Sequence, residues 1–433
     1  MAPKTSERYL ATFESIRNLF LRDVRREQLL WQLSRLLRHD VRGRIASNGG
    51  GSMEAMLEPI FEIVGRCSSA ELRQNLPLAI VDEWIARSNH KNHREELAQW
   101  SAECASRKAD ENIFLFRANL SDSAPERAQW IAAAFRASGV SCALAPVDEA
   151  VPFSFERSTA SEDGPLVSVL MSVRNSEDTI RRAAQSILDQ TWKKIELIIT
   201  DDASTDGTLA RIMELKAKDP RVVVRQNERN AGPYICRNGA FLESRGEFIT
   251  CHDADDIAHP ERIAAQMDDL RTNPGSASNV SNWIRAKDDG RIMPLGRGGF
   301  VKDNYSSLLI RRKIFDAIGY WDSVRTSADS EFRDRIKSRF GKSAETRIRP
   351  ILAIGQFASR TLTGHPVTGM SWLYCSKPRV QYAHSYKRWH KTAPPSALYM
   401  PFPLDIRPFE VPTELTDGPQ RITRSGEQSL RSP

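Results

Sequence analysis

Asp253, Asp255 and Asp256 stand within four residues in FITCHDADDIAHPER, residues 248–262. An Asp-x-Asp pair at a turn after an apolar run presents two carboxylates to one hard divalent cation. Mg²⁺ and Mn²⁺ accept oxygen ligands, take few from protein and complete their shell with phosphate and water. Such an ion would neutralise a diphosphate. The same residues equally suit an Asx-turn that enters a helix at Pro260, so this stretch alone leaves both readings open. A second pair, Asp201 and Asp202, closes the apolar run IELIIT. A carboxylate there can accept from a base N–H or a ribose hydroxyl, although DDASTDGT also reads as a loop with an N-cap at Ser204 or Thr205. The sequence holds no G-x-G-x-x-G and no Walker lysine, so a glycine-rich phosphate cradle is not indicated and a metal is the expected neutraliser. His252 adjoins the aspartates as a packing neighbour, and His259 falls near a helix start. His384 and His390 sit among Tyr382, Tyr386 and Trp389, a set that suits either sugar stacking or core packing.

These acids need elements to aim them. From Leu166 the pattern alternates between buried-strand runs and helical periodicity. LVSVLMSV, IELIIT, RVVVRQN and EFITCH read as strands. SEDTIRRAAQSILDQ, with Ser176 as N-cap, TDGTLARIMELKAKD and PYICRNGAFLESR read as helices. Four such alternations with short connections predict a mostly parallel sheet flanked by helices, an α/β fold whose ligands bind at the carboxyl ends of the strands. The clusters 172–175, 201–206 and 253–256 fall at those ends. Farther on, SNVSNWIRA and YSSLLIRR read as strands and SADSEFRDRIKSRFG as a helix. The first 155 residues read as helical, in ERYLATFESIRNLFL, REQLLWQLSRLL and segments over 53–64, 72–85 and 125–138. They form an α-helical N-terminal domain for packing or for a protein partner. The expected division is 1–155 helical, 156–165 linker, 166–345 catalytic, 346–410 extension on the acceptor side and 411–433 a polar disordered tail.

The 433 residues are 40% hydrophobic and 27% charged, which fits a soluble protein with a real core. No run of 18 apolar residues marks a membrane span, and the N-terminus lacks the apolar core of a secretion signal. A net charge of +7 is spread along the chain. It suits anionic partners such as a sugar nucleotide, a lipid phosphate or the inner face of a membrane. No nucleic-acid partner is expected. Six dispersed cysteines without a C-x-x-C argue against zinc or a disulfide framework, and for reduced thiols in a cytoplasmic protein.

Four segments in order, PLVSVLMSVRNSEDTIRRAAQSILDQTW, IELIITDDASTDGT, ERNAGPYICRNGAFLESRGEFITCHDADDIAHPERI and GYWDSVRTSADSEFRDRI, resemble the catalytic domain of family 2 glycosyltransferases. The resemblance covers about 40% of the chain and implies a GT-A fold, an inverting reaction and a polysaccharide-type role. It implies a nucleotide-sugar donor, a UDP-sugar, and a glycan or lipid-linked acceptor. Ser172, Arg174 and Glu177 would lie where the first strand end meets the nucleotide, and Asp202 on the base with Asp201 beside it. Arg237 and Asn238 match the helix before the metal strand. Asp253 and Asp255 match the ligands of Mg²⁺ or Mn²⁺, and Asp329 the catalytic base, with Arg335 matching an arginine six positions later. The sequence departs from the family in SVRN, where a proline and an aromatic are usual, and in SADSEF, where an acid usually precedes the base. Glu331 competes with Asp329 for that role; on a helix the two point about 200° apart. The alternative reading is a catalytically degenerate scaffold or binding protein.

Overall fold

The computed structural model describes residues 91–107, 110–141, 144–145, 154–156, 162–294, 299–357, 367–370, 375–416 and 421–422, with a few isolated positions besides. The helices expected before residue 53 lie outside the described residues, as do most of those expected over 53–64 and 72–85.

The alternation from Leu166 folds as read. Strands β3 (Val167–Val173) and β4 (Ile195–Asp201) are buried along almost their whole length. They pair in parallel with each other, with β5 (Val222–Gln226) on one side and with β6 (Phe248–Cys251) on the other. Their β-branched runs suit strands covered on both faces. One face takes α4 (Ile180–Leu188), whose Ile180, Ala183, Ala184 and Ile187 pack on Val169, Met171 and Ile199. The other face takes α6 (Pro233–Glu243), with Ala240 and Phe241 in the core that holds Leu170 and Ile198. Helix α5 (Thr208–Lys218) completes the first face. Thr179, not Ser176, is the N-cap of α4. Ser176 is held instead by its N–H, which donates to Thr208 Oγ1 at 2.7 Å and ties two strand-end loops together.

Beyond β6 the sheet turns mixed. Among the described residues its nine strands run β5-β4-β3-β6-β10-β8-β11-β7, with β9 (Lys302–Asp303) on the side of β8. Here β7 is Ile257–Ala258, β8 is Ser278–Ala286, β10 is Leu309–Arg311 and β11 is Glu345–Gln356. Strand β10 is antiparallel to β6 and β8, whereas β8 and β11 are parallel. Strand β11 lies between β8 and β7, so the expected boundary at 345 cuts through a strand of the main sheet. Helix α7 (Arg262–Thr272) covers this half, and α8 (Ile314–Ile318) leads to α9 (Ala328–Phe340).

The N-terminal helices α1 (Lys91–Arg107), α2 (Glu111–Leu120) and α3 (Ala124–Ser138) do not stand apart from the sheet. Phe114, Leu115, Ile131 and Phe135 share one core with Ile284, Phe300, Ile351 and Ile354. Asp110 caps α2 by accepting from the N–H of Asn112 and Ile113, and Ser123 caps α3. The expected linker is anchored at both ends. Strand β2 (Ser154–Phe155) pairs with β1 (Leu144–Ala145), and Glu162 bridges to Trp192. At the other end, α10 (Lys377–Thr392) packs on α9. The tail expected to be disordered from 411 begins ordered: Leu415 is fully buried in the core around Phe332 and Trp389, and Arg421–Ile422 pairs with Ile406–Arg407. One apolar side chain with a core to enter outweighs the polar composition around it.

Candidate active site

The register sets the site. Val173 lies opposite Asp201 and Leu170 opposite Cys251. The residues that follow, Arg174, Asp202 and Asp253, therefore leave the sheet at one edge. Ser172, Arg174, Asp202, Arg237, Asp253, Asp255 and Asp329 all line one cavity of about 1020 Å³. Of the other sequence candidates, Glu177, Asp201, Asn238 and Glu331 do not line it.

Each of those four has a partner elsewhere. Glu177 Oε2 accepts from the Gly207 N–H at 2.8 Å, latching the loop after β3 to the loop after β4. Asp201 is buried, and its Oδ2 accepts from the Ser204 N–H at 3.3 Å. Asn238 exchanges two hydrogen bonds with the Trp321 backbone, at 2.8 and 3.1 Å, and so pins α6 to the segment leading into α9. Glu331 is fully buried, grips Arg335 with both oxygens at 2.9 Å and meets His390 Nε2 at 3.0 Å. Burial raises its pKa, but Arg335 and His390 outweigh that and hold the carboxyl below its ordinary value.

Asp202 shapes the opposite wall. It accepts from Asn227 Nδ2 and the Ala231 N–H, each at 2.8 Å, and from the Gly232 N–H at 2.7 Å. Gly232 has φ of 91°, in the region glycine adopts without strain, and this lets the loop fold back on the carboxylate. Pro233 then opens α6.

The acidic turn after β6 is flanked by arginines. Arg237 Nη2 donates to Asp253 Oδ1 at 2.5 Å and stacks over Tyr234 at 5.0 Å. Burial works against its charge, but the neighbouring Cys251, Asp253, Tyr234 and Asp329 outweigh that and raise its pKa. Arg262, fully buried under the turn, donates to the Cys251 carbonyl at 3.2 Å, and desolvation brings it down to about 10. Arg285 is buried between Trp283 and Phe357 and faces the same acids. Asp256 is pushed well up by burial and then by the carboxylates of Asp255 and Asp253; its Oδ2 has no hydrogen-bond partner. Gly355 makes room here, since a Cβ would meet the Trp283 ring at 2.4 Å and Asp256 Oδ1 at 3.0 Å. His252 is buried with Nε2 near the Asp256 carbonyl at 3.2 Å, and desolvation drives its pKa well down. It supports the turn from behind.

This arrangement fits a hard divalent cation. Asp253 and Asp255 are half-buried and open to the cavity, and the same turn crowds a third carboxylate with an unsatisfied oxygen. Among the described residues no cluster of three or more His, Cys, Asp or Glu is set to hold a metal. A bound ion would thus complete its shell from outside the protein.

Asp329 sits in the first turn of α9, half-buried at the cavity wall, and its Oδ1 accepts from the Ser330 N–H at 2.8 Å. The N-cap before it, Ser327, has φ of 74°, a left-handed conformation unusual for serine. Sequence reasoning missed Arg379, which lines the cavity from α10 and donates from Nη1 to Ser327 Oγ at 3.0 Å. Its only sequence signal is charge: α10 holds no Asp or Glu.

Comparison with known proteins agrees with the geometry. Residues 168–333 match the family described as glycosyl transferase family 2. A UDP-Glc:α-D-GlcNAc-diphosphoundecaprenol β-1,3-glucosyltransferase, WfaP of Escherichia coli, is 37% identical over 123 residues, 28% of this chain and 48% of that protein. The uncharacterized glycosyltransferase MJ1057 of Methanocaldococcus jannaschii is 30% identical over 186 residues, 39% of this chain and 64% of its own length. The match to a solved structure of S. aureus TarS residues 1–349 with UDP has 19% identity and a TM-score of 0.37, over 45% of this chain and 61% of that one. The chain spans less than two thirds of the length of these curated relatives. No described helix is long and apolar enough to cross a membrane, and no disulfide joins the described cysteines. The strand-end acids and the Asp329 turn all fall inside the segment, residues 168–333, that is similar to glycosyl transferase family 2.

Proposed function

We propose that the chain is an inverting glycosyltransferase that moves a sugar from a nucleotide-diphosphate donor, a UDP-sugar, to a hydroxyl of a glycan or lipid-linked acceptor. One observation carries the reading. Of the two acids that could serve as base, Asp329 opens into the cavity shared by the strand-end acids, while Glu331 is buried and spent on Arg335 and His390. A UDP-sugar is favoured because WfaP, a relative whose name states its donor, is named for UDP-Glc.

The nucleotide rests along Ser172, Arg174 and the Asp202 loop. Arg174 replaces a usual aromatic, and its planar guanidinium can stack on a base. Arg237 fixes the Asp253 carboxylate through Oδ1 at 2.5 Å, and Asp253 and Asp255 both line the cavity. Mg²⁺ or Mn²⁺ held by Asp253 and Asp255 would neutralise the charge gathering on the leaving diphosphate. Asp329 takes the proton from the acceptor hydroxyl as that oxygen attacks the anomeric carbon. The new C–O bond forms on the face opposite the departing diphosphate, so the configuration inverts.

The test is transfer from a panel of UDP-sugars with Mn²⁺, followed by mass spectrometry. Asp255→Ala should lose Mn²⁺-dependent UDP binding by about tenfold or more in calorimetry. Equal UDP binding by wild type and Asp255→Ala, each with Mn²⁺, would remove the metal from the reading. Absence of both transfer and donor hydrolysis across the panel would favour the scaffold alternative.

A further inference from the structure

Helix α10, KPRVQYAHSYKRWHKT, lies beyond the matched family segment, and all its charged side chains are basic. An exposed helix normally mixes signs, because like charges one turn apart repel. Three of its basic residues, Arg379, His384 and Lys387, line the same cavity as Asp329. The helix is fixed there. Tyr386 Oη donates to Asp334 Oδ2 at 3.1 Å, and His390 meets Glu331 at 3.0 Å, both on α9. Arg379 reaches Ser327 Oγ at 3.0 Å, and three more of its five N–H go to the carbonyls of Thr368 and Leu362 and the sulfur of Met370, which leaves one on Nη2.

Of the other cavity arginines, Arg237 holds Asp253, Arg285 looks onto Asp256 and Asp255, Arg325 donates to Asn230, and Arg174 stands singly at the end of β3. The α10 wall differs in gathering three basic residues on one helix beside the Asp329 turn. No carboxylate among the described residues forms an ion pair with Arg379, His384 or Lys387. Asp329 acts on Arg379 only through space. Lys387 lies over the Tyr386 ring at 5.9 Å and is exposed. Burial depresses the Arg379 pKa, so an added negative charge beside it would be welcome. A cavity of about 1020 Å³ is at the upper end for a single ligand and leaves room for a second reactant.

We infer that the α10 wall is the acceptor subsite, and that the acceptor carries an anionic group, a phosphate ester or a carboxylate, received by Arg379, His384 and Lys387. This rests on the transferase reading above for the word acceptor, and on the unmatched cations for the charge. Arg379 would hold the anion within reach of the Asp329 turn. Lys387 and His384, nearer solvent, would draw it in.

The experiment loads the full chain with UDP and Mn²⁺, which fills the donor side, and titrates it calorimetrically with glucose 1-phosphate, glucuronic acid and glucose. At least one anionic sugar should bind about ten times more tightly than glucose, and the tighter of the two identifies the group. Lys387→Glu should erase that advantage, roughly tenfold, and Arg379→Met should do the same, with UDP affinity unchanged in both as the check on folding. Equal binding of the three sugars, no binding of any, or an unaltered preference in Lys387→Glu overturns the inference. If the wild-type chain does not bind UDP, the donor reading falls instead, and the comparison among the three sugars still decides this one.

Discussion

Asp329 and Glu331 stand two positions apart in one helical turn and have opposite surroundings. Asp329 opens to the cavity; Glu331 has lost contact with solvent and is matched by Arg335 and His390. Replacing the two should therefore separate chemistry from stability. Asp329→Asn should abolish transfer while leaving UDP affinity within about twofold, and the fold intact by thermal melting. Glu331→Gln strips the countercharge from a buried guanidinium and should cost about 3–5 kcal/mol in denaturant unfolding. Wild-type turnover in Asp329→Asn would remove it as the base. The choice between them was half legible in the sequence. Helical geometry says that the two acids diverge, but not which one faces a cavity. That depends on Arg335 and on His390, a residue of a helix that arrives 59 positions after Glu331.

At the scale of elements, the alternating strands and helices from Leu166 were legible because their apolar periods are strong. Strand β11 was not. Its sequence, ETRIRPILAIGQ, carries Pro350, and its pairing with β8 shifts register between Arg347 and Ile351. A proline at an irregularity is how a strand tolerates the missing N–H, yet in sequence it reads as a break. Strand β7 has two residues and exists because β11 is there to receive it. The loop after β4 offers a test at this scale. Ala203 has φ of 56° without the freedom of glycine. Ala203→Gly should raise stability by about 1 kcal/mol and lift the melting temperature. A lower melting temperature would show that the strand-end loop is not strained there. The N-cap expected at Ser176 failed for a related reason: the Ser176 N–H is taken by Thr208 across the loop pair, and the helix starts at Ile180.

At the scale of the molecule, the N-terminal helices and the sheet share one core, and His259 sits at their junction. Its ring packs against Phe135 and Phe155, and Nε2 lies 2.8 Å from the Ser141 carbonyl. Desolvation lowers its pKa from 6.5 to about 4. The folded state therefore refuses a proton that the unfolded chain accepts. The resulting stability, about 3 kcal/mol, is complete above pH 6.5, falls as pH drops toward 4 and is gone below that. Urea unfolding at about pH 7.5 and about pH 5 should show this loss, and His259→Phe should flatten that part of the profile. An unchanged slope in His259→Phe would assign the acid sensitivity to other groups. Composition could not have located this joint. The helical character of the N-terminal region was visible in its periodicity, but its attachment to β11 was not.

The position of β11 in the sheet also bears on the order of assembly. The turn that carries Asp253, Asp255 and Asp256 is closed by pairs that arrive late: Ala258 with Ala353, Ile257 with Ile354, and the His259 N–H to the Leu352 carbonyl at 2.9 Å. A chain emerging from the ribosome can form β3, β4, β5 and β6 while this turn still lacks its clamp, because distant pairings close last. Half of the site would then wait for the other half to be translated. A chain ending at Ser343, just before β11, should be cut by protease between Asp253 and His259 far faster than the full chain. Equal rates would show that the turn stands without its late partner.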